Sequence, residues 1–476
     1  MTECVIIGFW TFVNKKISLF LSLRLSLRGQ LSYGAHDMVA TKIPGYFKSR
    51  RDALMKKHPS SAFIFCGAKE NYRNPDVTFP FRQESNFYYL TGLQEAEASL
   101  VLIPSSTKGD YKTILFMLPK DREKEMWTGE RYGVEGALQV FGADEAYPCD
   151  EFEKKLPELL KTADQVYYRI GLDETIDRKI LAALEVFRRS LGRSGKSMAP
   201  ILDPNSVLGE MRLFKSPEEI EIMKSACSIS AQAHKTLMKE VKPGMNEFEV
   251  EALLNYLFRK NGCQRIGYGS IVAGGKNSTC LHYTFNNEVL KDGDLLLIDA
   301  GGEVDYYSAD ITRTFPVGKK FSESQTKSYE LVLKSQLECI AMTRPGVKLP
   351  EIHKHASEVL IDGFLSLGLL KGSRSEIFEK AIHKRFYPHN TSHWLGMDVH
   401  DVGLYSLNGE PRELKPGMVF TIEPGFYVQP NDRDVAEEYK NIGIRIEDDI
   451  LVTQQGCEVL SKEAPKSISD IEALRA

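Results

Sequence analysis

Four acidic residues that end or interrupt apolar strand-like runs constrain this chain more than any other feature. In "LLLIDAGGEVDYYSADITRTFP" (295–316) an aliphatic run stops at Asp299, and Asp310 stands inside a second strand-like stretch. In "MVFTIEPGFY" (418–427) Glu423 closes the run just before Pro424 and Gly425. In "NIGIRIEDDI" (441–450) period-two alternation puts Ile442, Ile444 and Ile446 on one face and Arg445, Glu447 and Asp449 on the other. An unpaired ionised carboxylate in an apolar interior costs several kcal/mol, so a fold that buries these groups must bring cations or donors to them.

If 295–299 and 306–315 form a hairpin around Gly301 and Gly302, a register whose paired numbers sum to 609 sets Asp299 directly opposite Asp310. A further segment, "HNTSHWLGMDVHD" (389–401), holds His389, His393 and His400; Pro388 and Gly396 argue against a continuous helix there. One economical solution is a pair of divalent cations held by Asp299, Asp310, Glu423, Glu447 and one of the histidines, since two such ions balance four carboxylates. Oxygen-rich ligation with one imidazole suits Mn²⁺, or Co²⁺ or Zn²⁺ in vitro. Two-metal sites of this kind recur in aminopeptidases and phosphatases. Any one of these residues alone has a bland reading as a turn former, surface charge or core histidine, and only their joint occurrence carries weight.

Rival motifs are absent: no G-x-S-x-G, no H-E-x-x-H and no G-x-G-x-x-G. The stretch "GSIVAGGKN" (269–277) misses a phosphate loop and reads as a plain Gly-rich turn. With 61 Lys plus Arg against 65 Asp plus Glu there is no basic surplus to point to nucleic acid. The eight cysteines lack C-x-x-C spacing, which predicts reduced thiols. Sequons at Asn277 and Asn390 both fall in segments assigned to the site, where a glycan would block it, and this speaks against a secretory route.

Along the chain, residues 1–37 carry a single acidic residue before Asp37 and four basic ones, and read as an extension or targeting segment whose apolar runs are too short to span a bilayer. From Ala62 strand-like runs alternate with polar turns, and helix-period segments follow at 151–162 and 177–191. Two prolines in "SMAPILDPNS" (197–206) mark a boundary, giving a domain at 38–206 and another at 207–476. In the second half, Ser216 with Glu219, Asn246, and Ser322 with Gln325 announce helix starts. Helices on one face of an antiparallel sheet make this an α+β domain, preceded by a smaller α/β domain.

The motifs "IDAGGEVDYYSADITRTFPV", "HNTSHWLGMDVHDVG", "PGMVFTIEPGFYV" and "GIRIEDDILVT" closely resemble those of Xaa-Pro aminopeptidase (aminopeptidase P), grouped with prolidase and methionine aminopeptidase among the pita-bread metallopeptidases. The likeness takes in "FPFRQESNFYYLTG" (79–92) and runs from about Pro44 to the C-terminus. It implies that Asp299, Asp310, His393, Glu423 and Glu447 hold two metal ions, most often Mn²⁺, with Asp310 and Glu447 bridging, and it selects His393 among the three histidines. It also implies that Glu423 shuttles protons, that His282 and His400 stabilise the oxyanion or position substrate, and that His389 and Arg445 contact substrate. The family usually has His-Gly where this chain has His389-Asn390. The expected activity is release of the first residue from Xaa-Pro-Yaa peptides by a homodimer or homotetramer in the cytoplasm, with the mitochondrial matrix as second choice. Prolidase is the rival with the same five ligands. A non-catalytic pita-bread module that binds peptides or histones would need to have lost ligands, and here all five positions are filled.

Overall fold

The structure, a computed structural model, describes residues 35–105, 107, 109–192 and 199–476. Most of the expected N-terminal extension, up to residue 34, lies outside the described residues, as does part of the expected domain boundary. Residues 44–476 form one compact unit. After helix α1 (Ala35–Lys57), the first sheet is built from β1 (Ser61–Cys66), β2 (Ser99–Pro104), β3 (Tyr111–Met117), β4 (Glu145–Pro148), β5 (Gln165–Tyr167) and β6 (Ile201–Leu202). Its order is β4-β3-β2-β1-β5-β6, with antiparallel pairing at its centre and parallel pairing towards both edges. The runs in β1 and β2 are buried throughout, which is why they read as unbroken apolar text. Helices Phe152–Leu159 and Glu174–Leu191 cover this sheet, adding Phe152, Leu156, Ile180 and Leu184 to a core with Ile64, Val101 and Phe116.

The second half is organised by helices α3 (Pro217–Glu240), α4 (Glu247–Lys260), α5 (Glu323–Met342) and α6 (Leu349–Ser366). The first three start where the sequence predicts, each with a closed capping box: Ser216 with Glu219, Asn246 with Glu249, Ser322 with Gln325. One small antiparallel sheet joins β7 (Ile271–Gly274), β8 (Leu295–Asp299) and β9 (Thr312–Pro316). A second set comprises β10 (Val419–Ile422), β11 (Gly425–Tyr427), β12 (Gly443–Arg445), β13 (Asp448–Val452) and β14 (Cys457–Val459), paired as β10-β13-β14 and β11-β12. Ile352 of α6, Trp394, Phe420, Ile422 and Ile450 share the core beneath it.

Three local expectations are corrected. Asp299 pairs with Thr312, not Asp310, so the register sum is 611. The shift of two keeps both acids on the same face, with Asp310 as a diagonal neighbour just before β9. Its cause is an inserted hairpin: strands Gly302–Val304 and Tyr307–Ser308 turn through Asp305 and Tyr306, both at positive φ (45° and 71°). Gly301 makes this possible, since a Cβ there would lie 1.7 Å from the Ala309 carbonyl oxygen. The alternation read over 441–450 does not form one strand: it breaks at Ile446 and Glu447. The stretch 269–277 is no plain turn, because Ile271–Gly274 forms β7 and pairs along β8.

The segment "FRQESNFYYLTG" ties the first sheet's domain to the second half. Glu84 caps helix α2 (Ser85–Thr91) by accepting the Phe87 N–H at 2.7 Å, and Gly92 ends it at φ 70°. Arg82 donates to Glu303 and to the Met397 carbonyl, each at 2.8 Å. Asn86 accepts from buried Arg212 at 2.9 Å, and Tyr88 stacks on Tyr306 with ring centroids 3.6 Å apart. These contacts hold the loop after His393 and the inserted hairpin, the two pieces of backbone that flank the acids.

Candidate metal centre

Strand ends bring the acids together. Asp299 closes β8, Asp310 precedes β9, Glu423 follows β10, and Glu447 stands in the break between β12 and β13. Asp310, His393 and Glu447 each offer a ligand atom, all within 4.8 Å of one another. His393 Nε2 lies 3.4 Å from Asp310 Oδ2 and 3.5 Å from Glu423 Oε1. Its Nδ1 sits 3.1 Å from the Trp394 carbonyl, which can only accept, so when the ring gives up a proton to neutrality the lone pair that is freed is the one on Nε2, facing the carboxylates.

Donors hold the acids in place. The Tyr268 hydroxyl stands 2.5 Å from Asp299 Oδ1 and also contacts Asp310 Oδ1. Thr312 donates to Glu447 Oε2 at 2.6 Å, Thr421 to Glu423 Oε1 at 3.2 Å, and Arg445 to Asp299 Oδ2 at 2.6 Å. Arg445 is itself fixed by Tyr427 (3.0 Å) and Thr312 (3.2 Å). Behind the site the Asp310 N–H donates to buried Asp449 at 3.0 Å.

These donors do not neutralise the cluster. Burial, then Asp310 and Glu423, push the Glu447 carboxyl far above its ordinary value. Burial raises Glu423 to about 7, with His393 and Arg445 opposing, and burial also raises Asp310. Burial opposes protonation of His393, yet Asp310 and Glu423 carry its imidazole up to about 9. A group of acids that binds protons this tightly is short of positive charge. Its donor set, carboxylate oxygens and one free imidazole nitrogen, fits divalent cations of the Mn²⁺, Co²⁺ or Zn²⁺ type.

All nine site residues expected from the sequence border one cavity of about 880 Å³. The His400 ring lies 4.3 Å from that of His393, and burial lowers its basicity. His282 is exposed at the cavity wall. His389 has both ring nitrogens engaged, Nδ1 with the Asn390 carbonyl at 2.8 Å and Nε2 with the Tyr427 hydroxyl at 2.9 Å, and burial with Arg445 lowers it to about 3. Sequence reasoning missed Tyr268, Thr421 and Tyr427 altogether. Thr312 carried a signal, because Asp310, Thr312 and Thr314 alternate as the polar face of one strand.

The model of metallopeptidase family M24 matches residues 221–454, and that of the aminopeptidase P N-terminal domain matches residues 47–167. The Xaa-Pro aminopeptidase of Escherichia coli is 41% identical over 429 residues, covering 90% of this chain and 97% of that protein. The mitochondrial intermediate cleaving peptidase 55 of Arabidopsis thaliana is 34% identical, covering 89% of this chain and 81% of its own. Among solved structures, zinc-substituted E. coli aminopeptidase P in complex with product superposes with a TM-score of 0.87 at 40% identity, covering 90% of this chain and 97% of that one. The chain thus belongs to metallopeptidase family M24 and, within it, to the metallo-exopeptidases of the Xaa-Pro aminopeptidase group, built as an aminopeptidase P-type N-terminal domain and a pita-bread domain.

Proposed function

We propose that this chain releases the N-terminal residue from peptides with proline second, Xaa-Pro-Yaa and longer, with two Mn²⁺ ions held by Asp299, Asp310, His393, Glu423 and Glu447. The observation that supports it best is the convergence of Asp310, Glu423 and Glu447, three carboxylates short of positive charge, with His393 Nε2 and Asp299 on one cavity wall. When bound, such ions neutralise the acids, polarise a carbonyl and make water activation cheap near neutral pH. Glu423, which follows β10 on the cavity wall, takes the proton of the attacking water and relays it to the departing proline nitrogen. His282 and His400 steady the oxygen on which negative charge develops. Arg445, locked between Asp299 and Tyr427, borders the peptide; His389, its nitrogens occupied, does so through its ring.

The group membership favours this over prolidase. The test compares Xaa-Pro, Xaa-Pro-Yaa and Xaa-Ala-Yaa under one Mn²⁺ loading. Cleavage of the tripeptide well above the dipeptide, and none of Xaa-Ala-Yaa, is expected; cleavage of the dipeptide alone would establish prolidase.

The same reading divides the chain into an extension (1–37), an N-terminal domain (38–206) and a catalytic domain (207–476), which the end of the first sheet at Leu202 supports. It places the working protein in the cytoplasm as a homodimer or homotetramer. Asn390 borders the cavity and the Asn277 side chain donates to Glu247 at 3.0 Å, so a glycan on Asn390 would obstruct the cavity and one on Asn277 would crowd that contact. No described helix is long and apolar enough to cross a membrane. Trp127, 89% exposed, supports assembly, which light scattering tests. N-terminal sequencing separates a start near Met38 from cleavage of a matrix-targeting segment.

A further inference from the structure

His353 lines the same cavity and none of the roles above uses it. It stands one turn into α6, where Leu349, Pro350 and His353 present one edge of that helix to the cavity. Its Nδ1 is 2.9 Å from Thr391 Oγ1, and Thr391 Oγ1 is 2.6 Å from the hydroxyl of buried Tyr387. The order of donors in this chain follows from who has an alternative. A buried phenol must give its hydrogen to something, and Thr391 is the partner Tyr387 has. Receiving there, Thr391 passes its own hydrogen to His353 Nδ1, and the His353 proton then sits on Nε2. The ring stays neutral at pH 7, since burial, then His383 and Lys384, lower its basicity. A neutral N–H suits an uncharged carbonyl oxygen better than it suits a cation or a donor.

The position is outboard of the chemistry. Thr391 links inward through its backbone, whose carbonyl accepts the Glu423 N–H at 2.9 Å. The His353 ring is 5.8 Å from that of Tyr387, which is 4.9 Å from that of His389. An extended peptide advances about 3.3–3.6 Å per residue, so the two ring separations put His353 within about three residues of the stretch of peptide that His389 borders. An aminopeptidase has only one residue on the amine side and an open run on the other.

Resting on the aminopeptidase reading, we propose that His353 is a specificity-determining residue: oriented by the Tyr387–Thr391 hydroxyl pair, its Nε2–H donates to the backbone carbonyl of the residue after proline.

The experiment measures kcat and KM for Xaa-Pro, Xaa-Pro-Yaa as free acid and as amide, and Xaa-Pro-Yaa-Zaa with wild type, His353→Ala and His353→Gln. Alanine is expected to lower the tripeptide-amide to dipeptide ratio of kcat/KM by about three- to tenfold, the worth of one neutral hydrogen bond, through KM. Glutamine, which keeps a donor, is expected to restore most of it. A loss confined to kcat, a loss that follows the identity of Xaa instead of peptide length, or no loss would each overturn the proposal. So would a loss seen with the free-acid tripeptide and not with the amide, because that would assign a carboxylate contact. Calorimetry of Pro-Yaa amide with wild type and His353→Ala keeps the two readings apart, since it needs no turnover. Wild type that cleaves no Xaa-Pro-Yaa peptide refutes the aminopeptidase reading, whereas equal binding of Pro-Yaa amide by both proteins refutes the role of His353.

Discussion

Asparagine in place of Asp310 keeps the shape of the side chain and removes its charge, at the acid that contacts Tyr268 and His393 and is braced by Asp449. Asp310→Asn is expected to cut hydrolysis at least about a hundredfold while the circular dichroism spectrum is retained. Activity above a few per cent with both ions bound would remove Asp310 from the ligand set. Thr312→Val deletes the donor to Glu447 without changing volume, and metal affinity measured by competition with a chelator dye should fall about tenfold. The acids were legible in the sequence because a carboxylate at the end of an apolar strand has no cheap structural explanation. Tyr268, Thr421 and Tyr427 were not, because tyrosine and threonine are ordinary strand formers and nothing local marks the carboxylate or the guanidinium that each one meets.

Where whole elements are concerned, the helices announced themselves: Ser216 with Glu219 and Ser322 with Gln325 are local signals that local hydrogen bonds honour. The hairpin carrying Asp299 and Asp310 did not, because its register is set by the fold-back at Gly301, a long-range packing matter. A Gly301→Ala chain must move the Ala309 carbonyl out of a 1.7 Å contact. Overpacking of this kind costs about 1–3 kcal/mol, and here the displaced backbone leads directly into Asp310. Urea denaturation should show the loss, and equilibrium dialysis should show weakened metal retention beyond what stability alone explains. Unchanged metal uptake would mean that the hairpin tolerates more slack than its contacts imply. The break at Ile446 and Glu447 was equally invisible, since alternation continues through it and only the sheets on either side differ.

The protein as a whole should respond to pH differently with and without metal. The Glu423 carboxyl, at about 7 in the folded chain against an ordinary 4.5, holds its proton more tightly when folded. That contribution to stability is present at low pH and is lost as pH rises through 7. His393, raised from 6.5 to about 9, contributes fully below its ordinary value and loses that contribution as pH rises through 9. The melting temperature of chelator-treated protein should therefore fall between about pH 5 and 9. Added Mn²⁺ competes with those same protons, so the increase in melting temperature it produces should grow over that range. Scanning calorimetry at several pH values, with and without chelator, checks both slopes, and a melting temperature indifferent to chelator would count against a preformed centre.

Strand β13 and the residue before it treat successive acids differently. Glu447 faces the candidate centre, while its neighbour Asp448 points the other way and is saturated by Arg313 (2.7 Å), Lys466 (2.6 Å), Ser461 (2.6 Å) and Gln336 (2.7 Å). Those partners hold the Asp448 carboxyl well below the usual carboxylate range. The side-chain cations that fasten the strand are covalently part of the chain, so they remain when a chelator strips the other face. A protein stripped by chelator is therefore expected to keep this sheet and to take up ions again without refolding.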